Sequence, residues 1–152
     1  MRRRITQSFL ALFFLTALLL QSCGGGGGSS SNPGGNTSSL SGTAATGAAV
    51  ANATITIKDA AGVSKSATTG TDGKYTIDVT GMTAPFLVKV DLPGGTALYS
   101  VGGAAGVVNI HPFTDLIIST WYEVQGNTVD AAFTDPANNP PPSSTEIQVI
   151  AV

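Results

Sequence analysis

Short stretches in which apolar and polar residues alternate are the feature that most constrains the fold of this chain. In residues 53–58, Ile55 and Ile57 point to one side, and the threonines and the lysine point to the other. A period of two is the geometry of a β-strand that has one buried face. Residues 74–79 and 86–91 repeat the pattern. The charged residues of these runs, including Lys89, are expected to face water.

Four weaker runs of the same kind bring the number of predicted strands to seven: residues 40–45, 64–69, 96–101 and 106–110. Glycine, aspartate and proline separate the runs about every ten residues, and Asp72-Gly73 is a strong hairpin signal. Consecutive strands are therefore expected to pair antiparallel. Since no helix separates them, the strands must bury their apolar faces against one another. The sequence predicts a mainly β fold, a seven-stranded antiparallel Ig-like sandwich over residues 40–111.

Several of these stretches follow one another in a characteristic progression: Leu40-Ser41-Gly42-Thr43, residues 50–57, the turn from Asp59 to Gly62, and Thr71-Asp72-Gly73-Lys74-Tyr75-Thr76-Ile77. The progression resembles the carboxypeptidase regulatory-like domain over residues 40–110, with one residue fewer between Asp72 and Tyr75 than many members have. The resemblance implies a transthyretin-like sandwich in an extracytoplasmic setting. It brings no catalytic residue, because the module is an accessory domain in its family.

Beyond the last predicted strand the apolar spacing changes to three or four residues, which is typical of helices. Thr114 is expected to cap a helix that begins at Asp115. Ile117, Trp121 and Val124 are expected to share the face that packs on the sheet. The sandwich is therefore predicted to be followed by one or two short helices.

The residues after the first helix predict a single helical turn and a C-terminal element. Residues 128–133 are expected to form the turn. Ser143 and Glu146 have the spacing of a capping box, so a helix is predicted to follow, with a final β-strand as the competing interpretation. A helix that stops after two turns would expose apolar residues with no face to bury. The helical extension of residues 112–152 is therefore expected to be truncated, as a fragment of a longer protein.

The N-terminus has the organisation of an export signal. Arg2, Arg3 and Arg4 precede an apolar segment, residues 9–20, that is short for a permanent membrane helix. The sequence that follows, Leu20-Gln21-Ser22-Cys23, resembles the lipobox of bacterial lipoproteins. That resemblance implies that residues 1–22 are removed as a signal peptide. It also implies lipidation of Cys23 with diacylglycerol and a further fatty acid such as palmitate.

Residues 23–39 are expected to link the lipid to the folded part. They are rich in glycine and serine and have no apolar periodicity, which predicts a flexible linker. Gly24 follows the lipidated position, and the sorting pattern of lipoproteins then implies the outer membrane. The expected localisation is the bacterial cell envelope, with membrane lipid as a partner through acylated Cys23.

The exported part is acidic, which bears on its partners. All three arginines lie in the signal, so four lysines remain against nine acidic residues, a formal charge of −5. A nucleic-acid binder needs clustered basic residues, whereas these lysines are isolated from one another along the chain. No nucleic-acid partner is expected. Because Cys23 is the only cysteine, no disulfide is expected either.

No residue pattern predicts catalysis or metal binding. His111 is the only histidine and has no nucleophile motif near it, so a structural role is expected and zinc is not. The aspartates in or next to turns lack the spacing of a calcium loop and are interpreted as turn formers: Asp59, Asp72, Asp91 and Asp115. The chain is predicted not to be an enzyme, with no cofactor and no metal.

Trp121 and Tyr122 are the candidate ligand contacts, as an aromatic surface for a glycan, and Tyr122 is expected to be the more exposed of the two. The predicted function is that of a membrane-anchored envelope lipoprotein, a non-enzymatic binding or spacer module with a surface glycan or protein as partner. The alternatives are an accessory domain of a larger surface enzyme and a carbohydrate-binding module.

Overall fold

The computed structural model describes residues 38–150, which form seven strands and three helices. The strands are β1 (Ser39–Thr43), β2 (Thr54–Asp59), β3 (Ser64–Thr68), β4 (Lys74–Asp78), β5 (Phe86–Asp91), β6 (Ala97–Gly102) and β7 (Gly106–Val107). The helices are α1 (Pro112–Val124), α2 (Val129–Thr134) and α3 (Ser144–Ile150). The structure confirms the helix predicted after Ser143, and not the competing β-strand. Residues 38–150 contain three helices, whereas one or two short helices were expected.

The strands are divided between two sheets. One has three strands in the order β4-β1-β7, and the other has four in the order β3-β2-β5-β6. This arrangement confirms the prediction of a mainly β fold built from seven strands.

The pairing of consecutive strands is only partly as predicted. Among the described strands, β2 with β3 and β5 with β6 form consecutive antiparallel pairs, whereas β1 pairs with β4 and β2 with β5 across the sequence. β7 runs parallel to β1, so a purely antiparallel fold is wrong. Asp72-Gly73 does not close a hairpin either, because β3 and β4 lie in different sheets.

The main core lies between the two sheets. Leu40 from one sheet and Ile55, Ile57 and Val88 from the other are fully buried there. Tyr75 is also buried in this core, and its hydroxyl donates a hydrogen bond to the carbonyl oxygen of Val108. The alternation seen in the sequence therefore identified the inward faces of β2, β4 and β5 correctly.

A second core lies on the opposite face of the four-stranded sheet, where the helices pack. Leu87 of β5 and Tyr99 of β6 contact Ile118 of α1 and Phe133 of α2 in this cluster. Lys89 was expected to face water, but it is only partly exposed, and its Nζ lies 5.3 Å from the centre of the Phe133 ring. The prediction for Lys89 is wrong because the helical layer covers the face that a two-layer sandwich would leave open.

Candidate functional site

Helix α1 begins at Pro112, and His111 caps it. Nδ1 of His111 accepts a hydrogen bond from the backbone N–H of Thr114 at 3.3 Å, and the Thr114 hydroxyl accepts one from the N–H of His111 at 3.0 Å. Proline suits the first helical position because its φ is fixed and it has no N–H to leave unpaired. The predicted start at Asp115 is therefore three residues late. His111 has the structural role expected of it, whereas Thr114 is the third residue of the helix.

Polar groups in the first turn of α1 hold the helix against the edge of the four-stranded sheet. β6 is an edge strand, whose free backbone groups need partners. Oδ1 of Asp115 accepts a hydrogen bond from the N–H of Tyr99 at 2.9 Å, and the Thr114 hydroxyl lies 3.2 Å from the Tyr99 carbonyl oxygen. Burial raises the pKa of Asp115 above its usual value. These contacts accompany a rotation of α1 that turns Ile118 and Tyr122 towards the sheet.

Tyr122 is buried, with 2% of its surface exposed. Its hydroxyl donates a hydrogen bond to the carbonyl oxygen of Pro140 at 3.3 Å, and its ring meets that of Trp121 edge to face at 4.8 Å. The prediction that Tyr122 is the more exposed aromatic is wrong, because it lies one helical turn after Ile118 and shares its buried face. Trp121 is half-buried and remains a candidate ligand contact.

One side of Trp121 belongs to an open groove of about 650 Å³ between α1 and α3. We call this the apolar groove; it is lined by Leu116, Ile117, Thr120, Trp121, Val124, Gln125, Glu146 and Ile150. Leu116 is 60% exposed and Val124 83% exposed. The expected packing onto the sheet is wrong for Ile117 and Val124, because they border this groove instead. Trp121 does both, since it lines the groove and also packs in part against the second core.

The other side of Trp121 belongs to a smaller and more polar cleft of about 330 Å³. We call this the amide cleft; it is lined by Trp121, Tyr122, Gln125, Asn127, Asn138, Asn139, Pro140, Pro141 and Glu146. Nε2 of Gln125 donates to the backbone oxygen of Trp121 at 3.0 Å, and the Asn127 amide donates to Oδ1 of Asn139. The cleft thus combines an aromatic ring with several amide groups that are already held in place by hydrogen bonds.

The helices that border both cavities carry only acidic charge. From residue 112 to 150 the charged residues are Asp115, Glu123, Asp130, Asp135 and Glu146. Hydrogen bonds from the hydroxyl and the backbone amide of Ser143 lower the pKa of Glu146, so its carboxylate is charged at neutral pH. This Ser143–Glu146 contact is the predicted capping box. It also places Glu146 beside Trp121 in both cavities.

Of the four aspartates interpreted as turn formers, Asp59 and Asp72 make the contacts expected. Asp115 instead lies in the first turn of α1, and Asp91 ends β5 and forms an ion pair with Lys89. Both oxygens of buried Asp59 accept backbone hydrogen bonds, Oδ1 from Ala61 and Val63 at 3.0 and 2.9 Å and Oδ2 from Thr83 at 3.1 Å. Oδ1 of Asp72 accepts the N–H of Lys74 in the same way, at 3.1 Å. Within residues 38–150, no three side chains of histidine, cysteine, aspartate or glutamate come together as a metal site would require.

The sequence reasoning named Trp121 but missed most of its surroundings. Leu116, Asn139 and the groove-lining position of Glu146 were not singled out. Plotting residues 113–124 at about 100° per residue would have shown apolar residues around most of α1, and hence that a single packed face could not bury them all.

Cys23, the predicted signal and most of the predicted linker lie outside the described residues. None of the helices within residues 38–150 combines the length and the apolar character needed to cross a membrane. Comparisons with protein-family models, with curated proteins and with solved structures found no match for this chain.

Proposed function

We propose that this chain is a membrane-anchored lipoprotein of the bacterial cell envelope, in which the mainly β domain is a non-enzymatic binding or spacer module. The anchor is supported by Leu20-Gln21-Ser22-Cys23 directly after the apolar N-terminal segment. The binding role is supported by one structural observation, the apolar groove. Leu116 and Val124 are exposed there, although the same helix already buries Ile118 and Tyr122 against the sheet.

The lipid chemistry would make such an anchor lasting. Each buried CH₂ group contributes roughly 0.8 kcal/mol, so one acyl chain holds a protein only marginally, whereas two or three hold it stably. The linker of residues 23–39 would then set how far the domain extends from the membrane, about 20 Å on average for a flexible chain of this length. Gly24 after the lipidated residue favours the outer membrane as the destination.

For the fold in its finer form, we propose the transthyretin-like variant of the Ig-like sandwich. Two residues that carry the family resemblance, Gly42 and Tyr75, meet at one point of the three-stranded sheet. The Tyr75 hydroxyl donates to the carbonyl oxygen of Val108 at 2.6 Å, directly beside Gly42. A module of this kind also suits an accessory domain of a larger surface enzyme, and that alternative shares the anchor and the groove.

Metabolic labelling with a fatty acid such as palmitate tests the anchor. The wild-type chain is expected to incorporate the label and to lose residues 1–22, because the thiol of Cys23 is the acceptor. A Cys23→Ser chain should incorporate none and keep its signal. Ser29→Ala, a matched change in the same linker, should label like the wild type. Equal labelling of the Cys23→Ser chain would refute lipidation at this residue.

A carbohydrate-binding module is the second candidate, and the amide cleft favours it. An aromatic ring beside amide groups offers both a stacking surface and directional hydrogen bonds to sugar hydroxyls. On an array of neutral glycans, binding should be lost in Trp121→Ala and fall about tenfold in Asn139→Ala, since one lost hydrogen bond is worth about 1 kcal/mol or slightly more. Thr54→Ala, an exposed strand residue, is the control. A flat response of the wild type to all glycans would contradict this candidate.

A further inference from the structure

We propose that the apolar groove is a docking site for the apolar face of a basic amphipathic helix from a partner protein. The inference deepens the binding role proposed above and does not depend on the lipid anchor.

The groove face of α1 is wide enough to receive such a helix. At about 100° per residue, the positions from Leu116 round to Trp121 cover an arc of about 140°, and Phe113 and Val124 lie within it. Three of these residues have more than half of their surface open to solvent: Phe113 at 64%, Leu116 at 60% and Val124 at 83%. Together with Ile117 and Trp121 they recur at the spacings of three, four and seven residues that helix-in-groove complexes use.

The described part of the chain leaves this face uncovered. α1 turns Ile118 and Tyr122 to the sheet, and α2 packs beside them through Phe133. α3 forms the far wall of the groove through Ile150, but none of the residues of α3 is buried. The groove therefore has two walls and no third element over it within residues 38–150.

The acidic charges on both sides of the groove favour a basic helix as the partner. Glu146 lines the α3 side, and its lowered pKa keeps it ionised. Glu123 projects from α1 about 20° beyond Leu116, on the opposite side. No lysine or arginine lies between residues 112 and 150. A helix with an apolar stripe bordered by lysine or arginine would match both the surface and its charge.

The same charges disfavour the other occupants of an apolar groove. An anionic lipid surface would meet acidic side chains instead of basic ones. A second copy of this chain, joined through the same face, would bring its own Glu123 and Glu146 against these two. Both arrangements place like charges together, whereas a basic helix pairs opposite ones.

Trp121 allows a direct test, because it is the only tryptophan of the chain and lies in the groove. The full chain in neutral detergent is titrated with a synthetic peptide of about four helical turns, with leucines on one face and lysines beside them. We expect a saturable blue shift of the tryptophan emission that weakens as salt is added. A peptide with glutamate in place of every lysine should bind at least tenfold more weakly.

Variants locate the binding. Leu116→Ser and Val124→Ser should each lower the affinity for the lysine peptide at least tenfold, and Glu146→Gln should lower it about threefold. Val63→Ser, which replaces another exposed apolar residue outside the groove, should leave the titration unchanged. Circular dichroism checks that each variant is folded. A variant that is unfolded is replaced by Thr120→Lys, which adds a positive charge inside the groove. This change should also lower the affinity for the lysine peptide.

Four results would overturn the proposal. They are the absence of a shift with the lysine peptide, equal binding of the two peptides, a larger shift on adding phosphatidylglycerol to the micelles, and self-association that Val124→Ser abolishes. A wild-type chain that incorporates no fatty acid would refute only the anchor, since the titration does not depend on the lipid.

Discussion

Replacing Gly42 by alanine is expected to destabilise the fold by about 3 kcal/mol or more, which is a large part of the stability of a domain of this size. A Cβ atom at this position would lie 1.8 Å from the carbonyl oxygen of Val108 and 3.2 Å from the ring of Tyr75. The obstacle is backbone, which is hydrogen-bonded to β1 through the N–H of Val108 and the oxygen of Ser41 at 2.8 Å. Urea unfolding followed by circular dichroism measures the loss.

Ser41→Ala is the matched control for Gly42→Ala. Ser41 is the preceding residue on the same strand, and its side chain points to the other face. The change should alter the free energy of unfolding by about 0.5 kcal/mol at most. If Gly42→Ala proved as mild as Ser41→Ala, the close approach of the Val108 backbone to β1 would be wrong.

Alkaline pH is expected to unfold the domain cooperatively, because all three tyrosines are buried: Tyr75, Tyr99 and Tyr122. Burial raises the pKa of each phenol, and for Tyr99 a hydrogen bond to Asp130 at 2.5 Å raises it further. In the unfolded chain a tyrosine ionises at a pKa of about 10. The folded state therefore holds its phenolic protons at a pH at which the unfolded state has lost them.

The sign of the effect follows from this difference in bound protons. The stability from the protonated phenols is fully present below pH of about 10 and is lost as the pH rises above it. Above that pH, each tyrosine lowers the free energy of unfolding by about 1.4 kcal/mol per pH unit, and the three together lower it by about 4 kcal/mol per pH unit. Phenolate absorbance and circular dichroism, recorded on one pH series, should change together. Tyr122→Phe should reduce the dependence by about one third. Phenolate that formed near pH 10 in a protein with an intact sheet signal would contradict the burial of these residues.

Strand positions were predictable from this sequence, but their partners were not. The alternation around Ile55, Ile57 and Val88 reports which side of a strand is buried, and the structure confirms those sides. It contains no information on which strand lies next to which. The parallel pairing of β7 with β1 and the separation of β3 from β4 depend on long-range contacts, such as that of Val108 with Gly42, that have no local signature.

The helices show the same division between local and long-range information. Capping chemistry is local, so the box of Ser143 and Glu146 was predicted correctly. The rotation of α1 was predicted wrongly, because apolar residues occur on two of its faces. The hydrogen bonds of Thr114 and Asp115 to the edge strand accompany the choice between them. Because the sequence does not show which of the two faces is buried, Tyr122 was placed on the wrong side of α1. Trp121 was identified as a candidate ligand contact.

The mass spectrum of the purified protein and of its N-terminal peptide tests the central proposal most directly. The proposal of an acylated anchor predicts a chain that begins at Cys23, lacks residues 1–22 and carries the added mass of two or three acyl chains on that residue. A chain that retains the segment before Cys23, with the cysteine thiol free, would contradict it.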